Sequence, residues 1–168
     1  MSLGRALELA AAAAGRAYPK PTVGAVVVRD GRIVGEGVTE PGGRHGEVVA
    51  LAAAGEAARG STIYVTLEPC AHWGTTPPCT DAILAAGVAR VVAGSLDPNP
   101  EAAGGLERLR AAGVDVELDD RFEARVQSEA WRTWVTAHRP FVTYKAAVTL
   151  DGRVVVPGRR WVTGEASR

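Results

Sequence analysis

From Val23 to Leu118, short β-branched, apolar runs alternate with segments of helical periodicity, glycines punctuate the joints, and no other feature restricts the fold as much. Val23 to Arg29 predicts a buried strand, Asp30-Gly31 a turn, and Arg32 to Val38 the second arm of a hairpin, whose Gly35 and Gly37 either weaken it or admit a close backbone approach. His45 to Ala58 predicts a helix that begins at a histidine and closes at Arg59-Gly60. Beyond it come a strand over Ser61 to Leu67, a helix over Cys79 to Ala86, a strand over Val88 to Ser95, a helix over Glu101 to Ala112 and a fifth strand over Val114 to Leu118. Strand and helix in alternation after a hairpin imply an α/β sheet, mostly parallel, with right-handed crossovers and a site at the C-terminal strand ends. Phe122, Val126, Ala130 and Trp134 recur at steps of four, which predicts an amphipathic helix over Arg121 to His138 packed on the domain or on a partner.

The composition limits what such a sheet can serve. In 168 residues, 19 basic and 19 acidic side chains cancel and 46% of residues are hydrophobic, which excludes disorder and leaves no field for long nucleic acid. The alanine-rich start carries Glu8 inside its apolar run and predicts a helix ending near Gly15 rather than a secretory signal. No run of 18 apolar residues follows, so no membrane partner is expected and the expected location is the reducing cytoplasm. Cysteines there serve metal binding or chemistry more often than disulfides.

Only two cysteines, Cys70 and Cys79, and three histidines, His45, His72 and His138, are present. His45-Gly46-Glu47 at a helix start, Pro69-Cys70 at a strand end and Pro78-Cys79 at the next helix start supply one imidazole, two thiols and one carboxylate. Any one of these residues alone reads as a buried thiol or a surface histidine; together they read as a site. Three N/S ligands leave a tetrahedral Zn²⁺ one open position for water, the arrangement of catalytic rather than structural zinc. Zinc lowers the pKa of bound water to about 7, and a carboxylate two residues from the ligand, Glu47, is placed to carry its proton to a leaving amine. The helix start should make Cys79 ionise readily even before metal binds, and either nitrogen of His45 could be the ligand atom.

Zinc deaminases carry H-x-E followed by P-C-x-x-C, with the Glu as acid/base. H-x-E is intact here, while eight residues separate Cys70 from Cys79. That longer loop, Pro69 to Cys79, resembles the riboflavin-biosynthesis deaminases that act on diaminohydroxyphosphoribosylaminopyrimidine, as do Val23 to Val26, Asp30-Gly31, Thr66 to Cys70 and Asp97-Pro98-Asn99-Pro100. The resemblance implies a cytidine-deaminase-like three-layer α/β/α sandwich with a mixed, mostly parallel five-stranded sheet over residues 1–138. It also implies substrate-side roles for Lys20, His72, Thr75, Asp97 and Asn99. The expected partner is a small aminopyrimidine-like molecule, with or without a phosphoribosyl group, and a homo-oligomer is expected. Residues 139–168 resemble the first strand region of the reductase domain that often follows in that family: Arg139 to Thr143, Leu150 to Arg153 and Trp161 to Gly164. Reduction is not expected of so short a piece, because a nucleotide-binding domain needs ~100–200 residues.

The metal set matches that family and the substrate set departs from it. Lys20 stands where the family usually has Asn, Thr75 where it has Lys or Arg, Thr39 nearest to where it often has His, and Gly46 where H-A-E has Ala; Arg44 precedes the ligand. Loss of the loop cation removes a charge-assisted bond to phosphate, which Lys20 or Arg44 could restore from another direction. The expectation is therefore weak or absent activity on the phosphoribosylated intermediate. The alternatives are deamination of a nucleoside-like or secondary-metabolism substrate and a non-catalytic, zinc-stabilised degenerate domain. Glu68 competes with Glu47 as base, but its place before Pro69 favours a structural role.

Overall fold

The computed structural model describes residues 2–155, 157–158 and 162–163. The elements run α1 (Ser2–Ala12), β1 (Gly24–Arg29), β2 (Arg32–Val38), α2 (Gly46–Ala54), β3 (Thr62–Val65), α3 (Cys79–Ala85), β4 (Arg90–Ala93), α4 (Gly105–Ala111), β5 (Asp115–Leu118), α5 (Phe122–Gln127) and α6 (Glu129–Ala137), with a 3₁₀ turn over Gly55–Ala58. One five-stranded sheet holds them in the order β2-β1-β3-β4-β5. The expected parallel pairing holds for β3, β4 and β5, whereas β1 runs antiparallel to both β2 and β3. The crossover from β2 through α2 passes over β1, so β3 returns parallel to β2 with β1 between them. The sheet is mixed for that reason.

Alternation along β1 builds the layers. Ala25 and Val27 join Ala50, Leu51, Ile63, Val65, Ile83, Val91, Leu106 and Leu109 in the larger core under α2, α3 and α4. Val26 and Val28 face the other way, against Leu3, Ala6 and Leu9 of α1. Helix α2 lies unusually close to the sheet because β2 offers it glycines: a Cβ on Gly35 would stand 2.3 Å from the Ala50 carbonyl oxygen, and one on Gly37 would stand 2.3 Å from that of Gly46. Close approach, not weakness, is what these two glycines provide. Gly46 is under the same constraint, since its Cβ would meet the Val23 oxygen at 2.4 Å, which accounts for Gly rather than Ala in His45-Gly46-Glu47.

Two expectations need correction. The helix expected from Glu101 starts at Gly105, because the Asn99 side chain accepts the Glu101 N–H and the Asn99 carbonyl accepts those of Ala102 and Ala103, holding the segment in turns. The helix expected over Arg121 to His138 breaks at Ser128, where the backbone reaches φ −108° and ψ 13°. Its apolar stripe is not core: Phe122, Val126 and Trp134 are 70%, 45% and 57% exposed, and the buried positions are Ala124 and Ser128, small enough to let α5 lie against α1. Residues 139–155, part of the stretch that resembles the first strand region of a reductase domain, hold no strand or helix. Trp161 and Gly164 of the last motif lie outside the described residues. Among those described, no helix is long and apolar enough to cross a membrane.

Candidate active site

Three chain segments converge beyond the ends of β3 and β4. His45 immediately precedes α2, Cys70 follows β3, and Cys79 is the first residue of α3. One donor atom from each lies within 4.8 Å of the others, and no other such group occurs among the described residues. His45 Nδ1 stands 3.2 Å from Cys79 Sγ and 3.6 Å from Cys70 Sγ. Bonds of ~2.0–2.1 Å to nitrogen and ~2.3 Å to sulfur put the N–S edge of a tetrahedral zinc site at ~3.5 Å, between those two distances. The donor set fits zinc, and of the two imidazole nitrogens Nδ1 is the one that faces the thiols.

The protons of this cluster are arranged differently from expectation. The Cys79 backbone N–H, at the head of α3, donates to Cys70 Sγ at 3.3 Å rather than serving its own sulfur. Hydrogen bonding from the Cys79 thiol is the main reason that Cys70 falls well below the usual thiol range. Cys79 is held above that range, first by its bond to Cys70 and then by burial. The backbone N–H and the thiol of Cys79 thus both favour the ionised form of Cys70. The sulfur of Cys70 beside the ring raises the His45 imidazole in turn.

Glu47, in the first turn of α2, is 3% exposed, and its Oε2 has no hydrogen-bond partner. Burial raises its carboxyl above the ordinary value. A buried carboxyl with an unused oxygen beside a metal trio is equipped to take and return a proton. Glu68 is equally buried but fully committed: Oε2 accepts the Asp97 N–H and Oε1 that of Leu106, at 3.1 and 3.0 Å. These bonds fasten the loops after β3 and β4 to the start of α4, the structural role that its position suggests.

A cavity of about 300 Å³ opens onto this cluster. His45, Glu47, Cys70, Lys20, His72, Thr75, Asp97 and Asn99 all line it, while Cys79 lies fully buried behind. Asp97 is 9% exposed, and burial pushes its carboxyl up to about 6 although Oδ1 accepts the Asn99 N–H at 2.8 Å. His72 contributes a buried Nδ1 without a partner. Thr39 also lines the cavity, but its hydroxyl is engaged by the Val23 N–H at 2.9 Å. Arg44 does not line it, and both its bonds, at 3.1 and 2.9 Å, go to Glu40. Lys20 Nζ donates to the Thr75 hydroxyl at 3.0 Å. The sequence reading missed Trp131, which forms one wall from α6; it lies off the apolar stripe, and nothing local distinguishes it.

Residues 2–95, which hold the whole metal trio and Glu47, match the family described as the cytidine and deoxycytidylate deaminase zinc-binding region. The chain belongs to this deaminase family. Zinc is accordingly its metal, and the domain is a deaminase, a hydrolase by reaction class. It is 51% identical over 168 residues to a riboflavin biosynthesis protein RibD of Aquifex aeolicus, covering 97% of this chain and 47% of that one. The structure superposes with a TM-score of 0.90 on the diaminohydroxyphosphoribosylaminopyrimidine deaminase/5-amino-6-(5-phosphoribosylamino)uracil reductase of Thermotoga maritima, at 44% identity over 97% of this chain and 49% of the other. Acinetobacter baumannii RibD gives 0.89 at 41% identity, over 99% and 48%. The chain spans about half the length of the relatives it matches.

Proposed function

We propose that this deaminase domain, assigned to residues 1–138, hydrolyses the ring amine of an aminopyrimidine bearing a phosphoribosyl substituent. His45, Cys70 and Cys79 would hold the zinc, and Glu47 would carry the proton. The observation that carries the reading is the unpartnered Glu47 Oε2 buried against the metal trio at a cavity wide enough for a pyrimidine. Zinc, when bound, acidifies water and so supplies a nucleophile near neutral pH. Glu47 takes a proton at Oε2 and returns it to the departing nitrogen: the ring carbon–nitrogen bond breaks, a carbonyl replaces it, and ammonia leaves.

The other residues bind and orient. Asn99 keeps its side-chain NH₂ free, because Oδ1 is occupied by the Glu101 N–H, and so offers a donor to a ring oxygen or nitrogen. Asp97 and His72 add a carboxyl and an unpartnered Nδ1, and Trp131 gives a flat apolar wall. The RibD relatives support the phosphoribosyl group. The contact between Lys20 and Thr75 favours retention of that substrate over the weakened activity expected from the sequence, since the cation is displaced along the rim rather than lost.

Replacing Glu47 by Gln tests the proton-carrier role. Zinc content per chain stays at the wild-type level, while ammonia release from diaminohydroxyphosphoribosylaminopyrimidine falls at least ~10²-fold, the lower range for general acid–base catalysis. Equal rates for the two proteins would remove Glu47 from the chemistry.

A further inference from the structure

The charges of the cavity are unevenly distributed. Its acids, Glu47, Glu68 and Asp97, are all buried. Lys20 is half-buried against exposed Thr75, so the cation belongs to the rim. Among the described residues Lys20 makes no ion pair. Its bonds go to neutral oxygens, Thr75 Oγ1 at 3.0 Å and the Gly43 carbonyl at 3.4 Å, which leaves one ammonium hydrogen unused. Because Thr75 Oγ1 accepts from Lys20, its own hydroxyl hydrogen is also free to donate.

Two donors, one of them fully charged, therefore stand side by side at the rim, 3.0 Å apart. Arg44, the other cation nearby, is neutralised by Glu40. There is room for a substituent at this place. A second cavity of about 460 Å³, walled by Tyr18, Trp134 and Phe141, shares Lys20 and Trp131 with the first.

We propose that Lys20 and Thr75 form an oxyanion cradle at the rim, which selects substrates whose ring substituent ends in a phosphate. The cradle rests on the reading of the domain as an aminopyrimidine deaminase. It adds that recognition of the charged tail is assigned to position 20, with Thr75 as the second donor, instead of to a cation in the loop between Cys70 and Cys79. Lys20 is on this account a specificity residue: it holds the tail while the ring reaches the metal, and it takes no part in proton transfer.

The test uses zinc-loaded protein and two probes, ribose 5-phosphate and ribose, with binding measured by calorimetry. The wild type binds ribose 5-phosphate in preference to ribose. Lys20→Met weakens ribose 5-phosphate at least ~10-fold, the loss of one charge-assisted bond, and Lys20→Arg keeps most of the affinity. The exchange Lys20→Asn with Thr75→Lys restores it, and circular dichroism shows that each variant is folded. In turnover, Lys20→Met raises KM for the phosphorylated aminopyrimidine riboside at least ~10-fold more than it raises KM for the dephosphorylated one. Lys20→Met binding ribose 5-phosphate like the wild type, or ribose binding as tightly as its phosphate, would overturn the cradle. A wild type that holds ribose 5-phosphate through Lys20 yet releases no ammonia from any aminopyrimidine supports the cradle and defeats the functional reading instead.

Discussion

Asp97 is the place where the site's cost to the fold can be measured. The side chain is 9% exposed and its carboxyl is pushed up from 3.8 to about 6, chiefly by burial, with Glu68 adding to the rise and Arg132 opposing it. Well below pH 3.8 the group is protonated in both folded and unfolded chains and contributes no penalty. Between pH 4 and pH 6 the unfolded chain releases this proton and the folded one retains it, so stability falls as pH rises. At 1.36 kcal/mol per pH unit, the interval from 3.8 to about 6 is worth about 3 kcal/mol. Asp97→Asn removes the titration and keeps an oxygen for the Asn99 N–H. Its buried NH₂ adds a constant offset that does not depend on pH. The quantity to measure is the difference in unfolding free energy, Asp97→Asn minus wild type, by urea denaturation from pH 4 to pH 8. That difference rises by about 2 kcal/mol across the range and levels off above pH 7; it is measured on both proteins free of zinc, because the charge at Cys70 also bears on Asp97. A difference that stays flat with pH would refute the argument that burial controls this carboxyl.

Two further outcomes follow from the metal site and its supports. A Cβ on Gly105 would stand 1.7 Å from the carbonyl oxygen of Pro69, next to Cys70, so Gly105→Ala forces α4 and the Cys70 loop apart; it lowers stability by ~1–3 kcal/mol and weakens zinc retention, and an unchanged Tm in thermal denaturation would contradict the packing. Cys79→Ser loses most of its zinc on dialysis, and chelation of the wild type lowers its Tm towards that of the variant, because the metal ties together residues 34 positions apart.

The local part of this architecture could be read from sequence and the contingent part could not. His45 and Cys79 were recognisable at helix starts because the periodicity that follows each of them is short-range. β1 and β2 were bounded well for the same reason, the Asp30-Gly31 turn lying between two apolar runs. The break at Ser128 was invisible, since serine interrupts no helix by itself and the turn is made by bonds from its hydroxyl to Ala124 and Arg125. Asn99 withheld a turn of helix from α4 by a side-chain bond that periodicity does not register. Which nitrogen of His45 faces the thiols, and the meeting of Lys20 with Thr75 across 55 positions, are properties of packing alone. The change at each of those two rim positions was legible; their contact was not.

The bare glycine strip on β2 has a consequence for anyone who maps this domain by mutation. Gly35 and Gly37 touch neither metal nor cavity, yet they set the height at which α2 rides, and α2 carries Glu47 and follows His45 as one rigid piece. A methyl group under that helix acts as a shim: it lifts imidazole and carboxylate together, away from two sulfurs that stay with β3 and α3. In a saturation scan both positions would score as lethal as the ligands themselves. A map of essential residues would then draw the reactive centre too large and place its far edge on the wrong strand.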